Sequence, residues 1–167
     1  TAYAYAYDAA GRLVGVTPDG AATTTYSYDA NGNRLSATGV ISTTGTVQGT
    51  YDAQDRLNQY GSTTYSYNAA GDLVSKSDAA SHQTTNYTYD ALGNLTAVTL
   101  PNGTQIAYLV DGNNRRIGKQ VNGALVQGFL YAGSSISPIA ELDGGGNVVS
   151  RFVYASSAHT PDYMIRS

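Results

Sequence analysis

The sequence predicts an all-β protein assembled from tandem β-hairpins, and three observations support this fold class. A Tyr-x-Tyr-Asp-x-x-Gly-polar-Leu pattern recurs along the chain. Its period is about twenty residues, which is typical of repeat architectures. The chain has 15 Tyr, 19 Gly, no Trp and no Cys, so it is rich in strand and turn formers. Together these observations predict hairpins that stack into one curved antiparallel sheet.

Each part of the repeat has a predicted local structure, and residues 87–95 show it most clearly. Tyr87 and Tyr89 are two apart, so they fall on the same face of a strand. Asp90 followed three residues later by Gly93 supplies a side chain that bonds nearby N–H groups and a residue free to take positive φ. Residues 95–100 then alternate again as the returning strand. Each repeat is therefore a strand, a turn and a strand.

The repeat positions carry a structural role in this interpretation, because turn and strand formation explain them fully. They are Tyr7, Asp8, Gly11 and Leu13; Tyr28, Asp29, Gly32 and Leu35; Tyr51, Asp52 and Leu57; Tyr67, Asn68, Gly71 and Leu73; and Tyr89, Asp90, Gly93 and Leu95. The second repeat has one extra residue before its leucine, and the third has Asp55 in the glycine position.

The connections between repeats are also predicted from turn chemistry. Residues 17–20 (Thr-Pro-Asp-Gly) form a turn, and residues 38–50 form a polar hairpin that turns near Gly45. Residues 78–83 form a loop. Pro101-Asn102-Gly103 forms a tight hairpin turn, and Asn122-Gly123 forms one of type I′.

The second part of the chain is less regular, which divides it into repeats over residues 1–107 and a less regular part over 108–167. Tyr108 continues the tyrosine series, and the turn at Asp111-Gly112 is predicted to be longer than the others. The remaining predictions are strands at 129–131, 139–142 and 148–154, a turn at 143–147, and a loop in the tail from residue 155 that contains Pro161.

Composition excludes several classes of function. Charged residues make up 13% of the chain and the net charge is −3, which disfavours nucleic acid as a partner. No apolar run approaches the ~18 residues of a membrane helix, and no signal peptide opens the sequence. The Tyr-, Gly-, Ser- and Thr-rich profile is typical of a secreted or cell-surface bacterial protein. Because the chain opens within a strand pattern and closes without a cap, we expect a fragment of a longer protein.

Candidate sites have simpler structural explanations. His82 and His159 are the only histidines, and no Cys accompanies them, so a zinc site is disfavoured. Asp29-x-Asn31-x-Asn33 opens like a calcium loop, but position twelve, counted from Asp29, is Val40 rather than Glu. No Gly-x-Ser-x-Gly motif occurs. The sequence therefore predicts no cofactor, no metal and no enzymatic activity.

The repeats resemble the YD repeats of the bacterial RHS family. Residues 130–133 and 139–154 resemble the stretch that precedes the RHS-associated core, and residues 161–165 resemble the segment that comes next in that family. The resemblance covers nearly the whole chain and is weak across residues 38–50.

The resemblance implies both an architecture and a role. In the RHS family and its relatives, which include the shell subunits of Tc toxins and the teneurins, such repeats form a sheet that spirals into a hollow shell. Bacterial shells enclose or carry a C-terminal toxin, which an aspartyl autoprotease in the core region releases. That core has Asp-Pro elements, whereas the prolines here are Pro18, Pro101, Pro138 and Pro161, none of which follows Asp. The resemblance thus implies a scaffold segment whose partners are its parent protein and its cargo.

Two alternatives remain open. Rows of exposed tyrosines stack on sugar rings, so the chain could instead be a carbohydrate-binding adhesin module. Open sheet edges could also cause self-association.

Overall fold

The computed structural model describes residues 2–19, 23–39 and 45–166, and every regular element in these residues is a β-strand. In chain order the strands are β1 (Tyr3–Tyr7), β2 (Leu13–Pro18), β3 (Thr24–Tyr28), β4 (Arg34–Thr38), β5 (Thr46–Tyr51), β6 (Leu57–Tyr60), β7 (Thr63–Tyr67), β8 (Leu73–Asp78), β9 (Gln83–Tyr89), β10 (Leu95–Thr99), β11 (Gln105–Val110), β12 (Arg116–Val121), β13 (Ala124–Tyr131), β14 (Pro138–Asp143), β15 (Val148–Val153) and β16 (Tyr163–Arg166).

The sheet has the simplest possible topology. Its 16 strands follow one another in sequence order, with β1 and β16 at the two ends. Contacts divide the chain into two compact units: unit 1 is residues 1–66 with 76–83, and unit 2 is residues 67–75 with 84–167. The predicted all-β fold of stacked antiparallel hairpins is confirmed. The division at residue 107 stays a prediction.

One turn recurs in the hairpins that the repeat predicts. In β1–β2 the N–H of Asp8 donates to the carbonyl of Arg12, and the N–H of Gly11 donates to the carbonyl of Asp8, each at 3.0 Å. Gly11 has φ +78°. This is a type I turn followed by a left-handed residue. The same pair of backbone bonds occurs in the turns that begin at Asp29, Asp52, Asn68, Asp90 and Asp111.

The left-handed position explains the glycine of the repeat and its exceptions. Asp55, in the glycine position of the third repeat, has φ +60°, and Asn114 has φ +62° in the Asp111 turn. Asp and Asn visit this conformation more readily than other residues with a Cβ. The backbone geometry is therefore conserved between repeats even where glycine is not.

A β-bulge follows this turn, which the sequence did not predict. Tyr7 lies opposite Leu13 and Ala6 lies opposite Gly15, so Val14 is an extra residue on the returning strand. The same shift occurs at Asn58, Thr96 and Ile117. Bulges increase the local twist of a hairpin. These extra residues share no side-chain type, so no sequence signal marks them.

The extra residue that precedes Leu35 in the second repeat does not lengthen the turn. The turn from Asp29 to Asn33 has the usual length, and Arg34 lies opposite Tyr28 where the first repeat places Leu13 opposite Tyr7. Leu35 is the bulge residue. The prediction of a longer turn in the sixth hairpin was wrong. The N–H of Asp111 donates to the carbonyl of Arg115 at 2.9 Å, so this turn has the same length as the others.

Tyr108 consequently occupies a different place from the one predicted. Val110 directly precedes Asp111 and lies opposite Arg116, so it takes the position of Tyr7 and Tyr28. Tyr108, two residues earlier, corresponds to the first tyrosine of the Tyr-x-Tyr pair.

The turns that join one hairpin to the next are shorter or more varied. Asn122 and Gly123 have φ +50° and +83° between paired Val121 and Ala124, which confirms the type I′ turn. The tight turn at residues 101–103 is also confirmed, because the N–H of Gly103 donates to the carbonyl of Leu100 at 2.9 Å. The predicted loop at 78–83 spans the four residues between β8 and β9.

The predictions for the remaining segments have different outcomes. The turn at 143–147 is confirmed, and it repeats the geometry of the Asp8 turn. The tail contains a strand, β16, which the sequence did not predict after the loop at 155–162. The hairpin predicted within 38–50 is confirmed, because β4 pairs antiparallel with β5 and Gly45 has φ +100°. Residues 40–44 of this hairpin, and Gly20 of the turn predicted at 17–20, lie outside the described residues.

The two faces of each unit differ in chemistry. We call the side that carries the repeat tyrosines the tyrosine face; there Tyr26 lies opposite Ala37, and Tyr87 lies opposite Val98, and both partners are buried. On the opposite side, the hydroxyl face, Ser27 bonds Ser36 and Thr38 bonds Thr46, each at 2.6 Å. None of the described large side chains is fully buried. Ladder bonds and half-buried tyrosines therefore replace a closed core.

Candidate functional site: the tyrosine and turn ladders

Tyrosine hydroxyls link each hairpin to the one before it. In unit 1 the Tyr28 hydroxyl donates to the carbonyl of Leu13 at 2.7 Å, and the Tyr51 hydroxyl donates to the carbonyl of Arg34 at 3.1 Å. In unit 2 the hydroxyls of Tyr131 and Tyr154 donate to the carbonyls of Arg116 and Pro138, at 2.8 and 2.9 Å respectively. The repeated bonds form a ladder across successive hairpins.

The acceptor in this ladder is always the first residue of the returning strand. Leu13 lies opposite Tyr7 and Arg34 lies opposite Tyr28, directly before the bulge. The backbone pairing of β2 with β3 extends only from Val16 to Gly15, so the Leu13 carbonyl lies beyond it. The tyrosine hydroxyl supplies the donor that the backbone does not. This geometry gives the Tyr28 and Tyr51 hydroxyls a bond that a phenylalanine could not make.

Two arginines connect one turn to the next tyrosine. The Arg12 side chain donates to the Asp8 carboxylate at 2.7 Å and to the Asp29 carbonyl at 2.8 Å, and its guanidinium lies 5.0 Å from the centre of the Tyr28 ring. It therefore combines an ion pair, a hydrogen bond and a cation–π contact.

Arg115 repeats this arrangement in unit 2. It pairs with Asp111 at 2.7 Å, donates to the carbonyls of Gly133 and Ser135 at 2.8 and 3.0 Å, and lies 4.6 Å from the centre of the Tyr131 ring. Sequence reasoning missed both arginines. The signal was an arginine at the polar position of the repeat, four residues after the aspartate.

Asparagines make the corresponding links where arginine is absent. The side-chain amides of Asn31 and Asn33 donate to the Asp55 carboxylate at 2.8 and 2.7 Å. In unit 2 the Asn94 amide donates to the Asn114 side chain at 2.5 Å. Both left-handed residues that replace glycine are therefore acceptors in turn-to-turn bonds.

The turn aspartates are held in their ionised form. The Arg12 backbone N–H and side chain lower the pKa of Asp8, and the Asn33 amide lowers that of Asp29. Equivalent donors four residues later lower the pKa of Asp52, Asp90, Asp111 and Asp143. Burial raises the pKa of the Tyr89 and Tyr131 hydroxyls. The shifts of the aspartate pKa values come from turn formation, in which each carboxylate accepts hydrogen bonds from the residue four positions later.

The structure does not bring the predicted repeat residues together into a pocket. The turn residues lie at the ends of separate hairpins; they include Gly11, Gly32, Gly71 and Gly93. Other repeat residues lie on the strands, namely Leu57, Tyr67, Leu73 and Leu95. Within the described ranges, no three His, Cys, Asp or Glu residues are close enough to hold a metal ion. The Asn31 and Asn33 amide nitrogens point to carboxylates in the stretch that opens like a calcium loop.

The other candidate groups are also occupied or exposed. Asp52 bonds Arg56 at 2.7 Å, and the Asp55 carboxylate accepts from asparagines. His82 and His159 are exposed. Among the residues with described structure, none belongs to a helix that could cross a membrane.

These features define a class of protein, an array of β-hairpins joined edge to edge by tyrosine and turn ladders. A family model described as Teneurin YD-shell matches residues 1–163, and the chain belongs to this family. The predicted kinship with RHS and YD-repeat proteins is confirmed.

Curated relatives include bacterial and animal proteins. The chain is 30% identical over 90% of its length to tRNA nuclease WapA of Bacillus subtilis (strain 168) and 32% identical over 94% to tRNA3(Ser)-specific nuclease WapA of Bacillus spizizenii. It is 26% identical over 93% of its length to Teneurin-4 of Mus musculus. It spans only 6%, 7% and 7% of the length of these relatives.

Solved structures share the fold. In the crystal structure of TcdB2-TccC3-Cdc42, a chain matches 98% of this one with a TM-score of 0.55 and 16% identity, over 10% of its own length. TcdB2-TccC3 without its hypervariable C-terminal region matches 92% of this chain with a TM-score of 0.52 and 14% identity, again over 10% of its length.

Proposed function

We propose that this chain is a non-catalytic stretch of the wall of a β-shell, which encloses or carries the C-terminal toxin of a longer RHS-type protein. The observation that carries this proposal is the tyrosine ladder, in which Tyr28 and Tyr51 each bond the preceding hairpin. Because this bond links each hairpin only to its neighbour, the same contact can be repeated along a longer sheet, which is how the wall of a shell would be built. The family membership supports the same role.

The relatives favour a toxin as the cargo. The curated WapA relatives are named as tRNA nucleases, while the chain spans 6 to 7% of their length. A nuclease centre within this part of the protein has no support from its side chains, since the two histidines are exposed and the turn carboxylates are bonded to their own turns. We therefore assign the activity to another part of the parent protein, exported from or displayed on a bacterial cell.

Site-specific proteolysis of the parent polypeptide tests the enclosure. One protease recognition site is placed in the C-terminal segment, and the same site is placed in the Asn122-Gly123 turn as an exposed control. We expect cleavage at the turn and protection of the C-terminal segment. Equal rates of cleavage at both sites would contradict enclosure. Cleavage of tRNA by the purified 167-residue chain would contradict the absence of catalysis.

A second candidate function rests on the first strand alone. The rings of Tyr3 and Tyr5 are stacked with centroids 6.4 Å apart, and Tyr3, Tyr5 and Tyr7 are 54 to 61% exposed. Such a platform suits the face of a sugar ring, whereas the tyrosines of the inner strands are half-buried.

Oligosaccharide titration followed by tyrosine fluorescence tests this second function. Tyr5→Ala should abolish any response, and Leu92→Ala, at another exposed side chain, should leave it unchanged. A response that survives Tyr5→Ala would exclude this platform as the sugar site.

A further inference from the structure

The chain contains three Asn-Gly pairs, and this dipeptide is especially prone to spontaneous loss of the asparagine amide. They are Asn31-Gly32, Asn102-Gly103 and Asn122-Gly123. In this reaction the backbone nitrogen of the glycine attacks the side-chain carbonyl carbon, Cγ, of the asparagine. Glycine favours the reaction because it has no Cβ and its backbone rotates freely. All three asparagines are exposed, so local backbone structure, and not access of water, distinguishes them.

Two of the pairs lie in turns that have the backbone bonds of the Asp8 turn, and there the glycine N–H is already bonded. The N–H of Gly32 donates to the carbonyl of Asp29 at 3.2 Å, and the N–H of Gly103 donates to the carbonyl of Leu100 at 2.9 Å. Neither asparagine has a positive φ. The glycine nitrogen can approach Cγ only if its peptide group rotates and this hydrogen bond breaks. The turn therefore protects both asparagines.

The third pair lies in the type I′ turn between β12 and β13. Asn122 has φ +50°, and no described residue accepts a hydrogen bond from the N–H of Gly123. Rotation of the peptide group between them converts a type I′ turn into type II′, which also has positive φ at its first central residue. The flanking Val121 and Ala124 can stay paired during this rotation. In a type II′ turn the glycine nitrogen lies on the same side as the asparagine Cβ, as closure of a five-membered ring requires.

The side-chain carbonyl of Asn122 is also polarised for attack. Its Oδ1 accepts a hydrogen bond from the N–H of Gln105 at 2.9 Å. Negative charge develops on this oxygen when Cγ is attacked, and a donor placed there stabilises that charge. The amide of Asn31 has the opposite environment, because its Nδ2 donates to the Asp55 carboxylate at 2.8 Å. A carboxylate beside the amide opposes the developing negative charge.

We propose that Asn122 is a site of spontaneous covalent modification through a succinimide. The Gly123 nitrogen bonds to Cγ, the Cγ–Nδ2 bond breaks, and ammonia leaves with the proton of the Gly123 N–H. Water then adds to one of the two imide carbonyls and reopens the ring. Opening at one carbonyl gives aspartate, and opening at the other gives isoaspartate, in which the backbone runs through the side chain. Either product adds a negative charge to the turn between β12 and β13.

Peptide mass spectrometry after incubation of the folded chain at mildly alkaline pH measures the reaction at all three sites in one sample, because trypsin places them in three different peptides. We expect Asn122 to react at least about fivefold faster than Asn31 or Asn102, since the loss of a single hydrogen bond changes an equilibrium by about this factor. An isoaspartyl methyltransferase should label the product. Equal rates at the three sites would overturn the proposal, and so would a faster reaction at either of the other two.

Incubation in guanidinium chloride separates the effect of the fold from that of the sequence. In the unfolded chain the three sites should react at similar rates. A preference for Asn122 that persists there would assign it to the neighbouring residues and overturn the structural argument.

Two matched variants test the nucleophile. Gly123→Ala should slow the reaction at Asn122, because a Cβ hinders the approach of the nitrogen. Gly103→Ala is the control: both glycines have φ +83° and open space around an added Cβ, so the backbone cost is the same, but the rate at Asn122 should not change. Far-ultraviolet circular dichroism verifies that both variants are folded. An undiminished rate at Asn122 in folded Gly123→Ala would exclude the Gly123 nitrogen as the attacking group.

Discussion

The hydroxyl of Tyr28 donates a hydrogen bond to the carbonyl oxygen of Leu13, 2.7 Å away and fifteen residues earlier in the chain. This bond joins the second hairpin to the first at the place where their backbone pairing has ended. The hydroxyl of Tyr28 therefore contributes to the contact between hairpins in a way that its aromatic ring alone could not.

Tyr28→Phe should therefore destabilise the protein. The change keeps the ring but leaves the Leu13 carbonyl without this donor, which costs about 1 kcal/mol. Urea unfolding followed by circular dichroism measures the loss. Tyr5→Phe is the matched control, because its exposed hydroxyl bonds nothing in the described residues, and it should leave the free energy of unfolding unchanged. Equal effects of the two changes would contradict the ladder.

Arg12→Lys should also destabilise the protein despite its conserved charge. Lysine cannot maintain the ion pair with Asp8, the bond to the Asp29 carbonyl and the stack on Tyr28 at once. We expect a loss of about 1 kcal/mol in unfolding free energy. Arg151→Lys, at an exposed side chain of β15, is the control and should be neutral. If lysine proves equivalent at both positions, charge alone is what matters at Arg12.

Gly11→Ala tests the left-handed turn position. Gly11 has φ +78°, and an added Cβ would meet no atom within 4 Å, so any cost arises from the backbone. We expect a destabilisation of about 1 to 2 kcal/mol. Gly112→Ala serves as the control, because its Cβ would also meet open space and its φ is not positive. Thermal unfolding should distinguish the two variants, and an equal cost at Gly112 would contradict this assignment.

Acid should destabilise the protein through Asp78 and Asp162. Hydroxyl donors, first Ser62 for Asp78 and Ser156 for Asp162, lower each pKa from 3.8 to about 2. Because the folded pKa lies below the unfolded one, this stabilisation is complete above about pH 4 and is lost as the pH falls towards 2. The midpoint of thermal unfolding should decrease over this window. The double variant Asp78→Asn, Asp162→Asn should show a flatter dependence, and an unchanged dependence would exclude these two groups as its source.

The local structure of each hairpin could be predicted from the sequence, because it depends on residues within ten positions of one another. Asp90 and Gly93 define a turn, and Asn122-Gly123 defines another, without reference to the rest of the chain. The Tyr-x-Tyr alternation likewise assigns a face. These features result from backbone sterics and strand periodicity.

The links between hairpins could not be predicted, because they depend on the register of one hairpin against the next. The bulge at Val14 sets how far β2 pairs with β3, and so which carbonyl remains for Tyr28. Nothing in the identity of Val14 indicates a bulge. For the same reason Leu35 does not take the place that Leu13 has in the first repeat, since position after the turn, and not residue type, determines the partner of Tyr28.

The fixed five-residue turn has a consequence for how such a chain can change length. A residue added between Asp8 and Arg12 would break the backbone bond that closes the turn and would displace Arg12 from Asp29. Other connections are under no such constraint: two residues suffice at Asn122-Gly123, and residues 39–45 separate β4 from β5. New segments are therefore best grafted at these connections, whereas each five-residue turn preserves the pairing of the two strands it joins.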